Sequence, residues 1–221
     1  MLKTVLLALL LLLGSTLALA DETYQSAADI KPGRFQVYLQ SQEMIASLNE
    51  VGHFWDKLLG LHQDCKGDYE VRPVGLVLQA PVRWPDGVDY PTAGIWKVQF
   101  EYLRCGDLKT YNAIFVSREG DKPDLLPAIP GYSDASPALA VDAMKGVTPQ
   151  VQAHLAKMGA KDCRQIYLFD SRMTPAAVAQ PAADSWQEKW TFQGCGKQAV
   201  FLMTFHPKAT DGKFFSGTPL H

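Results

Sequence analysis

The stretch WKVQFEYLRCG, residues 96–106, decides the fold because WQEKWTFQGCG, residues 186–196, repeats its pattern. Each stretch begins with tryptophan, carries aromatic side chains four and six positions later, and reaches Cys-Gly nine positions on. Aromatic and polar residues alternate in both, which is the period of a half-buried β-strand. Because glycine supplies the positive φ that a tight turn needs, each Cys-Gly predicts the tip of an antiparallel hairpin.

The repeat extends beyond the hairpins in both directions. Upstream, Asp64-Cys65 matches Asp162-Cys163, and each pair follows a helical pattern that ends in glycine. Downstream, the first copy aligns with the second at three alternating positions: Tyr111, Ala113 and Phe115 with Phe201, Met203 and Phe205. These matches predict an α+β fold made of two similar modules, each a helix packed on a small antiparallel sheet with one disulfide.

Apolar residues at three- and four-residue steps predict the helices. One stripe covers residues 44–59 and ends at Gly60. A short helix is predicted from Ser136 to about Lys145, and Thr148-Pro149 resembles a cap with proline at the first position of a further helix. The first strands are predicted at residues 71–77 and 166–169.

The module boundaries follow from these elements. We expect the first module at residues 21–120, a linker with a short helix at 121–147, and the second module at 148–221. The residues do not decide whether the modules fold separately or share one core; the favoured arrangement is one continuous core in which the aromatic side chains of both hairpins face each other.

Residues 1–20 have the three-part pattern of a cleavable secretory signal peptide. Lys3 precedes an unbroken apolar run from 5 to 13, and Ala18-Leu19-Ala20 puts small residues at the cleavage site. The apolar run is short for a membrane span, which needs about 20 residues. We therefore expect a periplasmic or secreted protein with no transmembrane segment after cleavage.

Charge and cysteine content narrow the function classes. Residues 21–221 carry 20 basic against 23 acidic side chains, a net charge of −3 without any basic run, which argues against a nucleic-acid partner. Four cysteines in an exported chain predict two disulfides, for which three pairings are possible. The repeat favours Cys65 with Cys105 and Cys163 with Cys195. A redox-active pair is disfavoured because no Cys-x-x-Cys is present.

No established catalytic motif is found in the sequence. Gly131-Tyr132-Ser133 begins like a nucleophile elbow but lacks the closing glycine, so it is interpreted as a loop. The histidines do not have zinc-site spacing, and we expect no metal and no cofactor. They are His53, His62, His154, His206 and His221. Four carboxylates near the hairpins are interpreted as a solvated strand face rather than a glycosidase pair. They are Glu101, Asp107, Asp184 and Glu188.

Residues 84–91 form an insertion that the second module lacks, and they contain Trp84 and Tyr90. Inserted loops are common places for binding residues, so these two aromatics are the predicted contact surface. The favoured function is a non-enzymatic exported protein that binds a ligand or an envelope partner. Two alternatives are a small hydrolase using Ser133, or His206 with Asp211, and an assembly factor that pairs through exposed strand edges.

The hairpin pattern resembles that of uncharacterised exported proteobacterial proteins. The residues that carry the resemblance are Trp186, Trp190, Phe192, Cys195, Gly196 and Phe205, with residues 96–115 as a second copy. The resemblance covers the hairpins rather than the whole chain. It implies an exported location and this hairpin fold, and it implies no mechanism.

Overall fold

The computed structural model describes residues 23–67, 69–118, 121–175, 185–206, 208 and 214–220. The predicted signal peptide lies outside these ranges, as do Asp184, Asp211 and His221. The fold is α+β, with helices, two antiparallel sheets and two disulfides. No helix in the described ranges is both long and apolar enough to span a membrane.

The first sheet has the strand order β1-β2-β3-β4-β5. Its strands are β1 (Thr23–Tyr24), β2 (Tyr69–Arg83), β3 (Ala93–Arg104), β4 (Asp107–Ser117) and β5 (Asp124–Ala128). A short 3-10 helix (Ala27–Asp29), α1 (Arg34–Leu39) and α2 (Gln42–Leu59) lie between β1 and β2 in the chain. Thus β2 is longer than predicted, and part of the predicted linker forms β5.

The second sheet has the order β6-β7-β8-β9 and follows α3 (Pro137–Lys157) in the chain. Its strands are β6 (Ile166–Met173), β7 (Trp186–Gly194), β8 (Lys197–Phe205) and β9 (Phe215–Pro219). All of its pairings are antiparallel.

Both Cys-Gly pairs form two-residue hairpin tips, as predicted. Cys105 and Gly106 have φ values of 48° and 80°, and Cys195 and Gly196 have values of 49° and 71°. Two consecutive residues with positive φ are typical of a type I′ turn, whose twist matches that of the strands.

The disulfides tie these tips to the loops that follow the long helices. Cys65 is bonded to Cys105, and Cys163 is bonded to Cys195. The prediction of two disulfides is therefore confirmed.

Helix α2 begins and ends where its sequence predicts. The Ser41 hydroxyl accepts a hydrogen bond from the Met44 amide, which satisfies an otherwise unpaired N–H in the first turn. Gly60 follows the helix with a φ of 68°, the left-handed conformation that terminates helices.

Helix α3 differs from the prediction, since one helix replaces the two that were expected. Pro149 lies inside it, although proline in a helix interior costs about 3 kcal/mol. Ala143, Val147, Val151 and Leu155 lie at four-residue steps and are all buried. This stripe continues across the proline, so packing against the second sheet outweighs the local penalty.

The expectation of one continuous core is wrong, because the buried side chains form two clusters. In the first, Trp96, Phe100 and Tyr102 of β3 belong with buried residues of α2. In the second, Trp190 and Phe192 of β7 belong with buried residues of α3. Each hairpin therefore presents its aromatic face to the helix that precedes it in the chain.

Candidate functional site

An open cleft of about 700 Å³ lies between the α1 region and the loop 84–90. Its lining includes Lys31, Arg34, Val37, Trp84, Asp89 and Tyr90. Pockets of roughly 300–1,000 Å³ that combine apolar walls with a few polar groups are typical of small-molecule sites. The two predicted contact residues, Trp84 and Tyr90, thus line the same cleft.

Arg34 fixes the wall of the cleft that the inserted loop forms. Its guanidinium group donates hydrogen bonds to the carbonyls of Trp84, at 3.0 Å, of Val88, at 3.2 Å, and of Pro85. The same group lies over the Trp84 ring, 4.4 Å from its centroid. A planar group with five fixed donors is well suited to holding several carbonyls of one loop. These contacts hold the loop in the conformation that forms this wall.

The two predicted contact residues differ in accessibility. Trp84 is 1% exposed, its indole N–H donates to the Val88 carbonyl at 2.8 Å, and its ring contacts those of Phe35 and Tyr38. Tyr90 is half-buried. Trp84 therefore forms a structural floor, whereas Tyr90 gives a ligand an accessible aromatic surface.

The cleft is also lined by an ion pair, a half-buried phenol and an exposed carboxylate. Lys31 forms an ion pair with Asp86 at 2.9 Å, and both of these side chains are substantially exposed. Burial raises the pKa of Tyr38, and the nearby Glu43 carboxylate acts in the same direction, so this phenol stays protonated. Asp89 contributes an exposed carboxylate at the edge of the cleft.

A second group of polar contacts surrounds residues 129–135, which we call the joining segment. The amide of Gly131 donates to the Thr110 carbonyl on β4 at 2.8 Å, and its carbonyl accepts from the Asn112 side chain at 2.8 Å. The Tyr132 amide donates to the Ser171 carbonyl on β6 at 2.7 Å. The segment therefore hydrogen-bonds to both sheets and links them.

Glu188 holds the same segment from the second sheet, which corrects its interpretation as a solvated residue. Its side chain is 0% exposed. One carboxylate oxygen accepts from the Asp134 amide at 3.0 Å and from the Trp186 indole at 2.7 Å. The other oxygen accepts from the Trp190 indole at 2.7 Å. Three N–H donors thus replace the water that a buried carboxylate loses.

The other three carboxylates do not form a catalytic pair in the described ranges. Glu101 faces Arg72 at 3.4 Å, and Asp107 lies 3.4 Å from both Lys109 and His62. Asp184 lies outside the described residues. No group of three or more His, Cys, Asp or Glu side chains among the described residues is arranged to hold a metal ion.

The candidate nucleophile Ser133 is buried, and none of the described histidine or carboxylate side chains is hydrogen-bonded to its hydroxyl. Its hydroxyl accepts a hydrogen bond from the Ala135 amide at 3.1 Å. The Lys97 amine donates to the carbonyl of Ser133 at 3.1 Å, rather than to the hydroxyl. The backbone amide of His206 bonds the Phe214 carbonyl, and the proposed partner Asp211 lies outside the described residues. A nucleophile needs a hydrogen-bonded base, and Ser133 has none among the described residues.

One buried charged pair was missed at the sequence level. Asp56 on α2 is 2% exposed and lies 2.9 Å from the Arg104 guanidinium, and the Tyr111 hydroxyl donates to it at 3.3 Å. The signal in the sequence was the helix face on which Asp56 lies, because it is one turn beyond Gly52, which is buried on the same face. The pair lies beside the Cys65–Cys105 disulfide, because Arg104 also donates to the Cys65 carbonyl.

The fold and the cleft define a disulfide-bonded α+β protein with a preformed open site. Comparison with protein-family models, curated proteins and solved structures found no match for the chain.

Proposed function

We propose that the chain is an exported, non-enzymatic protein that binds a ligand or an envelope partner in the cleft between residues 31–43 and the loop 84–90. The observation that carries this proposal is the organisation of the loop by Arg34, which holds three of its carbonyls. A preformed wall favours binding because less conformational entropy is lost when the ligand enters.

The side chains that line the cleft restrict the chemical class of ligand that fits it. Val37 is 74% exposed and gives an apolar surface, while Tyr90 adds an accessible aromatic side chain. Asp89 adds a hydrogen-bond acceptor, and the charges of Lys31 and Asp86 offset each other. A ligand with one apolar face and several hydrogen-bond donors, such as a sugar or a short peptide, matches this lining best.

Export is supported by the signal-peptide pattern of residues 1–20 together with the two disulfides, which persist in oxidising compartments. The periplasm is the proposed location.

We also propose that the two helix–hairpin units are copies of one module. Trp96 stacks on Phe115 with ring centroids 5.5 Å apart, and Trp186 stacks on Phe205 at 5.1 Å, each as a directly paired position of its hairpin. The first copy then differs from the second by the inserted loop 84–91, and this loop forms one wall of the cleft.

The assembly-factor alternative requires a strand edge that accepts another chain. One such edge is the part of β2 before Val82, because β1 pairs only with Val82 and Arg83. Strand β2 carries Pro73 and Pro81, which have no backbone N–H, and its pairing with β3 is interrupted by register shifts after Pro73, Leu78 and Ala80. Proline and irregular pairing are features that protect edges from strand addition. They favour the cleft over this edge as the contact surface.

Ligand-observed NMR with a panel of monosaccharides, amino acids and short peptides tests the proposal. We expect at least one class to bind the wild-type protein. Tyr90→Ala should weaken that binding by at least about tenfold, or about 1.4 kcal/mol, because it removes the accessible aromatic surface. Tyr69→Ala is the matched control, since Tyr69 is 42% exposed and does not line the cleft. Equal affinity of both variants for the bound compound would place binding elsewhere.

A further inference from the structure

Lys97 is a partly enclosed amine that the proposed binding cleft does not use. It lies on β3 between the buried core residues Trp96 and Val98, and therefore points to the opposite face of the first sheet. Within the described part of the chain its amine donates one hydrogen bond, to the Ser133 carbonyl at 3.1 Å. An ammonium group has three N–H donors, so this amine is under-used as an ammonium.

Two cavities are lined by both Lys97 and Ser133. The smaller, of about 120 Å³, is mostly apolar and is also lined by Ile114, Pro127, Ala128, Ile129 and Ala140. The larger, of about 180 Å³, is also lined by Gly75, Val77, Gln99, Tyr132 and Asp134. Lys97 therefore borders two spaces that a small molecule can occupy.

The charges around the amine determine which molecule fits. Burial lowers the pKa of Lys97, while the carboxylates of Asp134 and Glu188 act in the opposite direction without cancelling the effect. A larger fraction of this amine is thus uncharged at neutral pH than for an exposed lysine, which makes it a better nucleophile. The same two carboxylates repel an anion, so a neutral compound is favoured over a carboxylate.

We propose that Lys97 forms a reversible imine with a small neutral aldehyde or ketone held in the smaller cavity. The amine nitrogen attacks the carbonyl carbon, a C–N bond forms, and the carbonyl oxygen leaves as water with the two amine hydrogens, so no oxidant or reductant is needed. A cavity of about 120 Å³ limits the compound to a few carbon atoms.

Reductive trapping tests this assignment on the full mature protein. Butanal and cyanoborohydride are added at pH 7, and the alkylated lysines are quantified by peptide mass spectrometry over time. Lys109 is the internal reference, because it lies on the neighbouring strand, is 26% exposed and is paired with Asp107 at 3.4 Å. Lys97 should be alkylated at least about tenfold faster, which corresponds to about 1.4 kcal/mol of activation free energy.

Two cavity-filling variants test the location. Ala128→Leu fills the smaller cavity and should slow alkylation of Lys97 while leaving Lys109 unchanged. Val77→Leu, at the larger cavity, is the control and should leave both rates unchanged. The ratio of the Lys97 to the Lys109 alkylation rate in the wild-type protein tests the proposal even if a variant folds poorly. Alkylation of Lys97 no faster than that of Lys109, or a rate unaffected by Ala128→Leu, would overturn the proposal.

Discussion

Replacing Glu188 should destabilise the protein far more than replacing any exposed glutamate. The buried carboxylate accepts three N–H groups, two on one oxygen and one on the other. Glu188→Gln keeps an oxygen for the Asp134 amide and the Trp186 indole, but turns an amide N–H₂ group toward the Trp190 indole. The Trp190 donor then loses its acceptor inside the second core.

The size of the effect follows from the number of donors left unpaired. Each buried donor without a partner costs about 1–3 kcal/mol. Glu188→Gln leaves the Trp190 indole without an acceptor and adds a buried N–H₂ group that faces it, so we expect a loss of at least about 2 kcal/mol in the free energy of unfolding. Glu188→Ala removes the acceptor of all three donors, of which only the Trp190 indole is fully buried. The lost hydrogen bond of Trp190 and the cavity left behind should together cost at least about 3 kcal/mol. For a chain of this size, each kcal/mol corresponds to about 2–4 °C in Tm.

Urea unfolding with the disulfides intact measures these differences, with tryptophan fluorescence and circular dichroism as independent probes. Glu101→Gln is the matched control, because Glu101 is also a strand glutamate but is 26% exposed and faces exposed Arg72. An exposed ion pair contributes about 0–1 kcal/mol, so the control should change little. A Glu188→Gln protein as stable as wild type would refute the assigned role of this carboxylate.

Three further predictions concern the backbone, a disulfide and pH. Gly131→Ala should cost at least about 3 kcal/mol in urea unfolding, because φ is +86° and a Cβ would lie 2.2 Å from the Ser171 carbonyl oxygen. Replacing Cys65 and Cys105 by alanine should cost about 4 kcal/mol in the same assay, from the 40-residue separation in the chain-entropy model. Burial raises the pKa of Tyr102 to about 12, whereas tyrosine in an unfolded chain has a pKa of about 10. The phenol therefore ionises first in the unfolded chain, and stability falls as pH rises from about 10 to about 12. Tyr102→Phe should flatten that fall in unfolding experiments across this range.

Much of the fold could be predicted from local patterns in the sequence. The Cys-Gly dipeptides lie at the hairpin tips because a two-residue turn needs positive φ. The apolar stripe and Gly60 define the end of α2, and the disulfide pairing in the structure is the one that the repeat favours. These features depend on residues within a few positions of each other or on the repeat itself.

The errors arise where long-range packing decides the outcome. Pro149 predicts a helix start, but the buried stripe on both sides of it continues α3 through the proline. Glu188 was assigned to solvent by its residue type, although its alternation with Trp186 and Trp190 places all three on one face of β7. That alternation was the better signal.

The cleft could be predicted only in part. The insertion at residues 84–91 and its aromatic side chains are visible in the sequence, and both Trp84 and Tyr90 line the cleft. Their different burial is not visible, because Trp84 is covered by Phe35 and Tyr38 from a distant part of the chain. The role of Arg34 depends on contacts about 50 positions away, which no local pattern reveals.

A native mass spectrum of the mature protein, purified from the periplasm without reductant, tests the proposed function most directly. We expect a chain lacking two hydrogens for each of its two disulfides and carrying a defined non-covalent adduct. That adduct should be lost from Tyr90→Ala and kept by Tyr69→Ala. A bare wild-type chain with both disulfides intact would contradict a tightly binding cleft, and an adduct retained by Tyr90→Ala would place the site elsewhere.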